Sequence, residues 1–412
     1  MTPHIDSNRL WQSLMDLAKI GATDKGGVCR LALTELDRQG RELFVGWCRE
    51  AGLSVRVDAI GNIFARREGT DPTRRAIAMG SHIDTQPTGG KFDGNFGVLA
   101  GLEVLRTLND HCIQTAAPLE VVVWTNEEGS RFVPVMMGSG VFTGAFGLEH
   151  ALVQKDIDGV SVADALTRIG YAGTQMPGEV PGGMFAAYFE AHIEQGPVLE
   201  AHGLPIGVVP GALGQRWYDV TVTGMEAHAG PTPMQQRHDA LLASAHLIQR
   251  INRIALEHAP HGRATVGFMQ VSPNSRNTIP GSVTFSVDFR ALDDDALSAM
   301  DAELRDACTT LEASDERLTI QVEQVVYFPP CHFDPACIAS VREAAEALGL
   351  DNMEVVSGAG HDAVYLADVT PTAMIFVPCR DGISHNEIEH AEQAHIAAGA
   401  DVLLNAVLRH AR

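Results

Sequence analysis

The chain lacks an apolar stretch approaching the roughly 20 residues of a membrane span, a Cys-x-x-Cys pair and any run of basic residues. Each absence removes a class of function. Only 30 Lys and Arg stand against 52 Asp and Glu, a formal net charge of −22, which argues against nucleic acid or an anionic membrane as partner. An anionic substrate would need a local positive group. The seven cysteines are scattered from Cys29 to Cys379 and odd in number, which fits reduced packing residues in a cytoplasm. Met1–Ile20 is polar and amphipathic, without the charged start and apolar middle of a signal peptide. What is present is ordinary for a soluble globular protein: 412 residues, 45% hydrophobic and 20% charged, enough for two domains and a large core.

The order of patterns divides the chain in three. Residues 1–210 alternate helical and strand-like stretches: a helix over 31–51 stopped by Gly52, strands over 53–65, 76–80, 119–126 and 184–193, and a helix over 98–108. This is α/β around a mostly parallel sheet. Residues 211–328 read strand (217–223), helix (235–258), strand (264–271), strand (282–291), helix (296–312), strand (318–326), the βαββαβ order of a ferredoxin-like module. Pro210-Gly211 and Pro329-Pro330 flank it as candidate hinges. Residues 329–412 return to α/β and must rejoin the first segment.

Acids and imidazoles stand at the mouths of the expected strands. They are His82 in Met79-Gly-Ser-His-Ile-Asp-Thr85, Asp93 in Gly90-Lys-Phe-Asp-Gly94, Glu127-Glu128 after Val121-Val-Val-Trp-Thr-Asn126, His192 in Glu190-Ala-His-Ile-Glu194, and His385 in Ile383-Ser-His-Asn386. Singly, each has a plainer explanation: a histidine on an apolar strand is more often structural, paired glutamates a solvated face, Asp-Gly a turn. Together they agree, because sites in open α/β sheets gather outside the carboxyl ends of buried parallel strands. Nitrogen and carboxylate donors without thiolates suit Zn²⁺ or Mn²⁺ in a catalytic site. A spare carboxylate beside a ligand carboxylate supplies a base. Asp84, two residues from His82, is expected to take its ring N–H and fix its tautomer.

Gly80-Ser-His-Ile-Asp-Thr85, Lys91-Phe-Asp-Gly-Asn-Phe-Gly97, Asn126-Glu-Glu-Gly-Ser-Arg-Phe132, His192-Ile-Glu-Gln-Gly-Pro197, His228-Ala-Gly-Pro-Thr-Pro-Met234, Asn277-Thr-Ile-Pro-Gly281, Gly358-Ala-Gly-His-Asp-Ala363 and Ser384-His-Asn-Glu387 follow in order. This set resembles the hydantoinase/carbamoylase branch of the aminoacylase and carboxypeptidase metallohydrolase superfamily. The branch holds N-carbamoyl-L-amino acid hydrolases, β-ureidopropionases and allantoate amidohydrolases. The resemblance implies an α/β catalytic domain with an inserted lid and dimerisation domain, in a homodimer. It implies two divalent ions per subunit, Zn²⁺ with Mn²⁺ or Co²⁺ as alternatives, bridged by Asp93. His82 and His192 would complete one, Glu128 and His385 the other, with Glu127 as general base then acid. In the insert it implies Arg290 for the substrate carboxylate, assisted by Asn277, and His228 as the donor to the scissile carbonyl. Gln195 and Gln215 are read as amides for a ureido group, and Gly358-Ala-Gly360 as a place for backbone amides to approach substrate. His192 stands where many peptidase relatives place an aspartate, which favours the carbamoylase branch. His361 is the main rival for a ligand role, but it opens a helix while His385 matches the family's ligand loop, so it is read as structural or as lying behind the ligands. His238 departs from the pattern, in which relatives often carry a second arginine. The expected reaction is hydrolysis of a linear C–N ureido bond, with a peptidase or deacylase, and a non-catalytic binding protein, as the competing readings.

Overall fold

The computed structural model describes residues 3–412; Met1 and Thr2, where the reading of the N-terminus begins, lie outside it. Two compact units emerge, one made of the chain up to Gly211 together with His332–Arg412, the other of Ala212–Cys331.

The first unit is built on an eight-stranded sheet. Its order is Ser54–Val57, Ile63–Arg67, Leu119–Trp124, Ile77–His82, Ala187–Ile193, Thr372–Val377, Ile206–Val209, Asn352–Glu354. The four strands from Leu119–Trp124 to Thr372–Val377 are mutually parallel, and antiparallel neighbours flank them. Every residue of those four strands is buried, as continuous apolar runs covered on both faces must be. Helices Asn95–Asp110 and Gln393–Ala411 pack against strand Ile77–His82 and each other. The first carries thirteen buried residues among its sixteen, so it lies inside the unit. Register sets the site: His82 lies beside Trp124, and His192 beside Phe376. The carboxyl ends of the central strands are therefore level.

The single strand expected over 53–65 is two. Asp58 accepts from the amides of Ile60 and Asn62, and Gly61 takes a left-handed φ of 89°. The chain reverses there, giving the hairpin Ser54–Val57 with Ile63–Arg67. Asp58, Gly61 and Asn62 are turn residues, and the single-strand reading passes over them.

The second unit has the sheet order Arg263–Thr265 with Met269–Ser272, then Ser282–Ala291, Gly214–Thr223 and Thr319–Phe328, all antiparallel. Helices Ala240–Glu257 and Asp294–Ser314 cover one face, over a separate core that includes Tyr218, Leu247, Phe285 and Leu304. The helix expected from Gln235 begins at Ala240, where Asp239 caps the amides of Leu241 and Leu242. The strand expected over 264–271 is interrupted at Val266–Phe268 and pairs in two pieces with one partner.

Among the described residues no helix is long and apolar enough to cross a membrane. Phe189, fully buried at the middle of a central strand, measures the first unit's core. Phe189→Ala should cost about 3–5 kcal/mol, the usual scale for an emptied aromatic site. Trp11, Trp47 and Trp124 lie in the first unit, so urea unfolding followed by their fluorescence reads that loss. An unchanged midpoint would contradict this packing.

Candidate metal centre

Five donors meet at the carboxyl ends of the parallel strands. Asp93 Oδ1 lies 3.6 Å from His82 Nε2 and 3.2 Å from His192 Nε2. Its Oδ2 lies 3.4 Å from His385 Nε2, which is also 3.3 Å from Glu128 Oε2. The one carboxylate thus faces two donor sets, His82 with His192 and Glu128 with His385, and both sets have the compactness of a metal site. Glu127 Oε2 lies 3.4 Å from His82 Nε2, so the adjacent glutamates diverge toward opposite halves.

Three observations show that divalent cations fit. The Nδ1 atoms of His82 and His192 lie 2.9 Å from the main-chain oxygens of Asp84 and Ile193. Each ring therefore donates from Nδ1 to a carbonyl and turns the Nε2 lone pair inward, the tautomer a metal ligand needs. The His82 lone pair faces carboxylate oxygens of Asp93 and Glu127, acceptor against acceptor, an arrangement that a cation or an added proton must relieve; the His192 lone pair also receives the Gly94 amide at 3.1 Å. Finally, Asp84, Asp93, Glu127 and Glu128 are all buried, and so many carboxylates in one dry place need positive charge. Burial pushes Glu128 up to about 7, with Asp93 adding to it. Burial also drives Glu127 well above the usual range, and Asp362, Glu128 and Asp84 act the same way against His82. Burial opposes ionisation of Asp93 too; only when His192, His385 and His82 carry a proton toward it do their hydrogen bonds outweigh burial and hold it well below that range, and cations in place of those protons would do the same.

The backbone is shaped to this end. Gly94 has a φ of 64°, and a Cβ there would collide with the His82 ring. Asn126, Gln195 and His385 all hold left-handed φ, 54°, 56° and 54°, a cost that collects at functional sites.

Asp84 differs from expectation. Its main-chain oxygen, not its carboxylate, holds His82, and the carboxylate oxygens are 3.9 Å away at the nearest. Those oxygens accept instead from the amides of Glu127 and Glu128, at 3.3 Å each. The extended strand ends at His82, so the two-residue rule for shared faces no longer applies at Asp84. Gln195 donates to Asp93 Oδ2 at 2.9 Å, holding the central carboxylate, while its own Oε1 is buried without a hydrogen-bond partner. His361 is buried, with Nε2 3.0 Å from Ser357 Oγ and its ring against that of His192. Gly360 faces the Met136 thioether, which a Cβ would meet at 3.0 Å.

The remaining expected residues lie in the second unit. His228 and Thr278 are partners on a short ribbon, and the Asn277 carbonyl accepts from Ala229. The Gly230 amide donates to His228 Nδ1 at 3.1 Å, which leaves the ring proton on Nε2. Arg237 fastens this loop through the carbonyls of Ala229 and Thr232. Arg290 and Gln215 are partners across the sheet. Asp288, on the same strand face, receives Arg290 Nη2 at 2.9 Å. His238 pairs with Asp315 at 2.7 Å.

Sequence reasoning passed over Gln86, Ser384 and Glu389. Gln86 fixes Glu128 through its amide at 2.8 Å, and Ser384 and Glu389 reach Asp93 from a loop nearly 300 residues away. Ser384 stood inside a quoted motif; nothing local marked Glu389.

The model of Peptidase family M20/M25/M40 matches residues 78–409. An N-carbamoyl-L-amino-acid amidohydrolase of Rhizobium meliloti is 49% identical over 99% of this chain and 97% of its own. A ureidoglycolate hydrolase of Oryza sativa is 33% identical over 98% and 85%. The crystal structure of a hydantoinase/carbamoylase family amidase from Burkholderia multivorans shares 58% identity and a TM-score of 0.96, covering 100% of this chain and 99% of that one. Fold, donor set and these likenesses agree: the chain belongs to Peptidase family M20/M25/M40, among its hydantoinase/carbamoylase amidohydrolases, and is a hydrolase.

Proposed function

We propose that the chain is a two-metal amidohydrolase that cleaves an N-carbamoyl-L-amino acid to the amino acid, CO₂ and ammonia. The observation that carries this reading is the buried Asp93 carboxylate with a separate donor set facing each oxygen. The 49% identical relative of that name supports the substrate class. Two divalent ions, Zn²⁺ or else Mn²⁺ or Co²⁺, held by His82 and His192, by Glu128 and His385, and by Asp93 between them, would acidify a water and polarise the carbonyl.

The protein's own groups do the rest. Glu127 takes the water's proton and delivers it to the leaving nitrogen, a task suited to a carboxyl that burial has made basic. Asp84 keeps Glu127 and Glu128 in place through their amides. In the insert, residues 211–328, Arg290 grips the substrate carboxylate, with Asn277 assisting. His228 donates from Nε2 to the developing oxyanion. Gln195, Gln215 and Gly360 border the ureido group. The working state is a homodimer in which the insert mediates pairing and His228 serves the partner's centre. Seven free cysteines favour a reducing cytoplasm. Allantoate and β-ureido acids are the alternative substrates, the ureidoglycolate hydrolase relative being in keeping with a ureido acid as the class, and ammonia release from N-carbamoyl-α-amino acids, N-carbamoyl-β-alanine and allantoate in parallel separates them.

Chelation should abolish turnover, and Zn²⁺, Mn²⁺ or Co²⁺ should restore it; full turnover in protein shown metal-free by elemental analysis would overturn the mechanism. Glu127→Gln should keep its metal but lose at least about 10²-fold in kcat, whereas Glu128→Gln should lose one ion. The reverse pattern would exchange the roles of the pair.

Arg290→Ala should weaken carboxylate substrates by about 2–5 kcal/mol, because an anion is left unpaired, and erase the preference over the corresponding amides. Equal hydrolysis of acid and amide by the unaltered enzyme would reduce Arg290 to a partner of Asp288.

The shared site has its own test. Glu127→Gln and His228→Ala homodimers should each be nearly inactive, yet exchange of subunits creates heterodimers with one intact centre. Recovery of about a quarter of full activity, by counting in a two-fold dimer, is expected. No recovery despite demonstrated exchange would place His228 in its own subunit's site or outside catalysis.

A further inference from the structure

Behind Asp93 lies a second carboxylate for which the proposed reaction has no use. Glu389 is buried, and its Oε1 accepts from the amides of Phe92 and Asp93 at 2.9 and 3.2 Å. Ser384 Oγ lies 2.8 Å from Glu389 Oε2 and 2.8 Å from Asp93 Oδ2. Ser384 and Glu389 flank His385 on one loop, so these bonds clamp that loop to the loop carrying Asp93. The space is reserved for it, since a Cβ on Gly90 would collide with the Glu389 carboxylate.

The two halves of the centre depend on this clamp unequally. His82 and His192 stand on strands, and main-chain oxygens of Asp84 and Ile193 orient their rings. Neither needs residues 384–389. His385 has no such support: its side chain is 53% exposed and its backbone holds a left-handed φ of 54°. Asp93 Oδ2, the oxygen that faces it, is the oxygen Ser384 holds.

We infer that Glu389, acting through Ser384, is a positioning residue for Asp93 and His385, and that this clamp sets the affinity of the Glu128–His385 half for its ion while leaving the His82–His192 half unaffected. The inference rests on the two-ion reading above. Gln195 still holds Asp93 Oδ2 at 2.9 Å when the clamp is gone, so the carboxylate keeps its facing to His82 and His192, whereas a loop free to relax presents His385 less often in the geometry that binds.

The test is titration of the metal-free protein with Co²⁺, counting bound equivalents by elemental analysis and following the visible absorption of bound Co²⁺. Unaltered protein should bind two equivalents. Ser384→Ala should bind the first with unchanged affinity and the second about 10–100-fold more weakly, the usual effect of losing a group that orients a ligand. Gly90→Ala, which displaces Glu389 without touching a ligand, should do the same. Glu389→Gln should keep both, because its amide oxygen still accepts from Phe92 and Asp93 while its NH₂ donates to Ser384, whose proton then goes to Asp93. Two equivalents bound as tightly by Ser384→Ala as by unaltered protein would overturn the inference. So would equal weakening of both equivalents, or a Glu389→Gln protein that behaves like Ser384→Ala. A single equivalent in unaltered protein would instead overturn the two-ion reading itself.

Discussion

One constraint organises the first unit: a carboxylate, Asp93, must be held in a dry interior with acceptors on both sides. Burial alone would neutralise it, so positive charge must sit between it and its histidine partners, as protons on their rings or as cations in the protons' place. The surroundings are arranged for this. Gly94 lets the chain pass against the His82 ring, and the helix that follows begins at Asn95 and is buried almost throughout. Asn95 returns its side-chain amide to the Asp93 carbonyl at 3.0 Å and accepts from Arg30 at 2.6 Å. Arg30 is buried and spends its other donors on the carbonyls of Leu17, Ile20 and Ile83. Helix Ser7–Leu17, the segment after His82 and the Asp93 loop are thereby tied to one guanidinium.

The parallel sheet supplies what such a site requires. Strands buried on both faces are rigid, and their level carboxyl ends present side chains from distant parts of the sequence to one place. The stability of that platform offsets the left-handed backbones of Asn126, Gln195 and His385, each worth on the order of 1–3 kcal/mol where the residue is unsuited to it. Asn126 bears the conformation most easily, and its side chain secures the following loop through the Phe132 carbonyl. Gln195 and His385 have no such excuse in their chemistry. Their side chains converge on Asp93, which explains why the strain is kept.

How much of this was legible follows from how each residue is held. His82, Glu127, Glu128 and His192 follow apolar strands of unmistakable pattern, and the ferredoxin-like order of the insert appears in the succession of its elements. Other features leave no local trace. The hairpin at Asp58–Asn62 is the exception: Asp58, Gly61 and Asn62 mark its turn, between two strand-like stretches that read as one. Asp84 was assigned the right neighbour and the wrong atom, because the chain leaves the extended conformation one residue earlier than a two-residue spacing assumes. Glu389 acts across 296 residues, and neither periodicity nor spacing can encode a contact of that span. His385 was legible only through its motif, since its own segment is a loop with no period.

The division of labour between the units bears on how related chains take different substrates. Every donor that faces Asp93 comes from the first unit, and so do the groups that orient those donors. The groups assigned to the substrate's carboxylate and carbonyl come from the second, which has its own core and its own sheet. On the proposed function, changes in the second unit would alter what is gripped without disturbing the buried charges around Asp93. The likeness of this chain both to an N-carbamoyl-L-amino-acid amidohydrolase and to a ureidoglycolate hydrolase is what such an arrangement allows. A centre whose carboxylates must all be compensated at once tolerates little change; a surface on a separately packed module, such as the one proposed to take the substrate carboxylate, tolerates much more. Under the proposed function, the residues that can vary at least cost to the buried charges are Gln215, His228, Asn277 and Arg290, which belong to the other core, rather than those around Asp93.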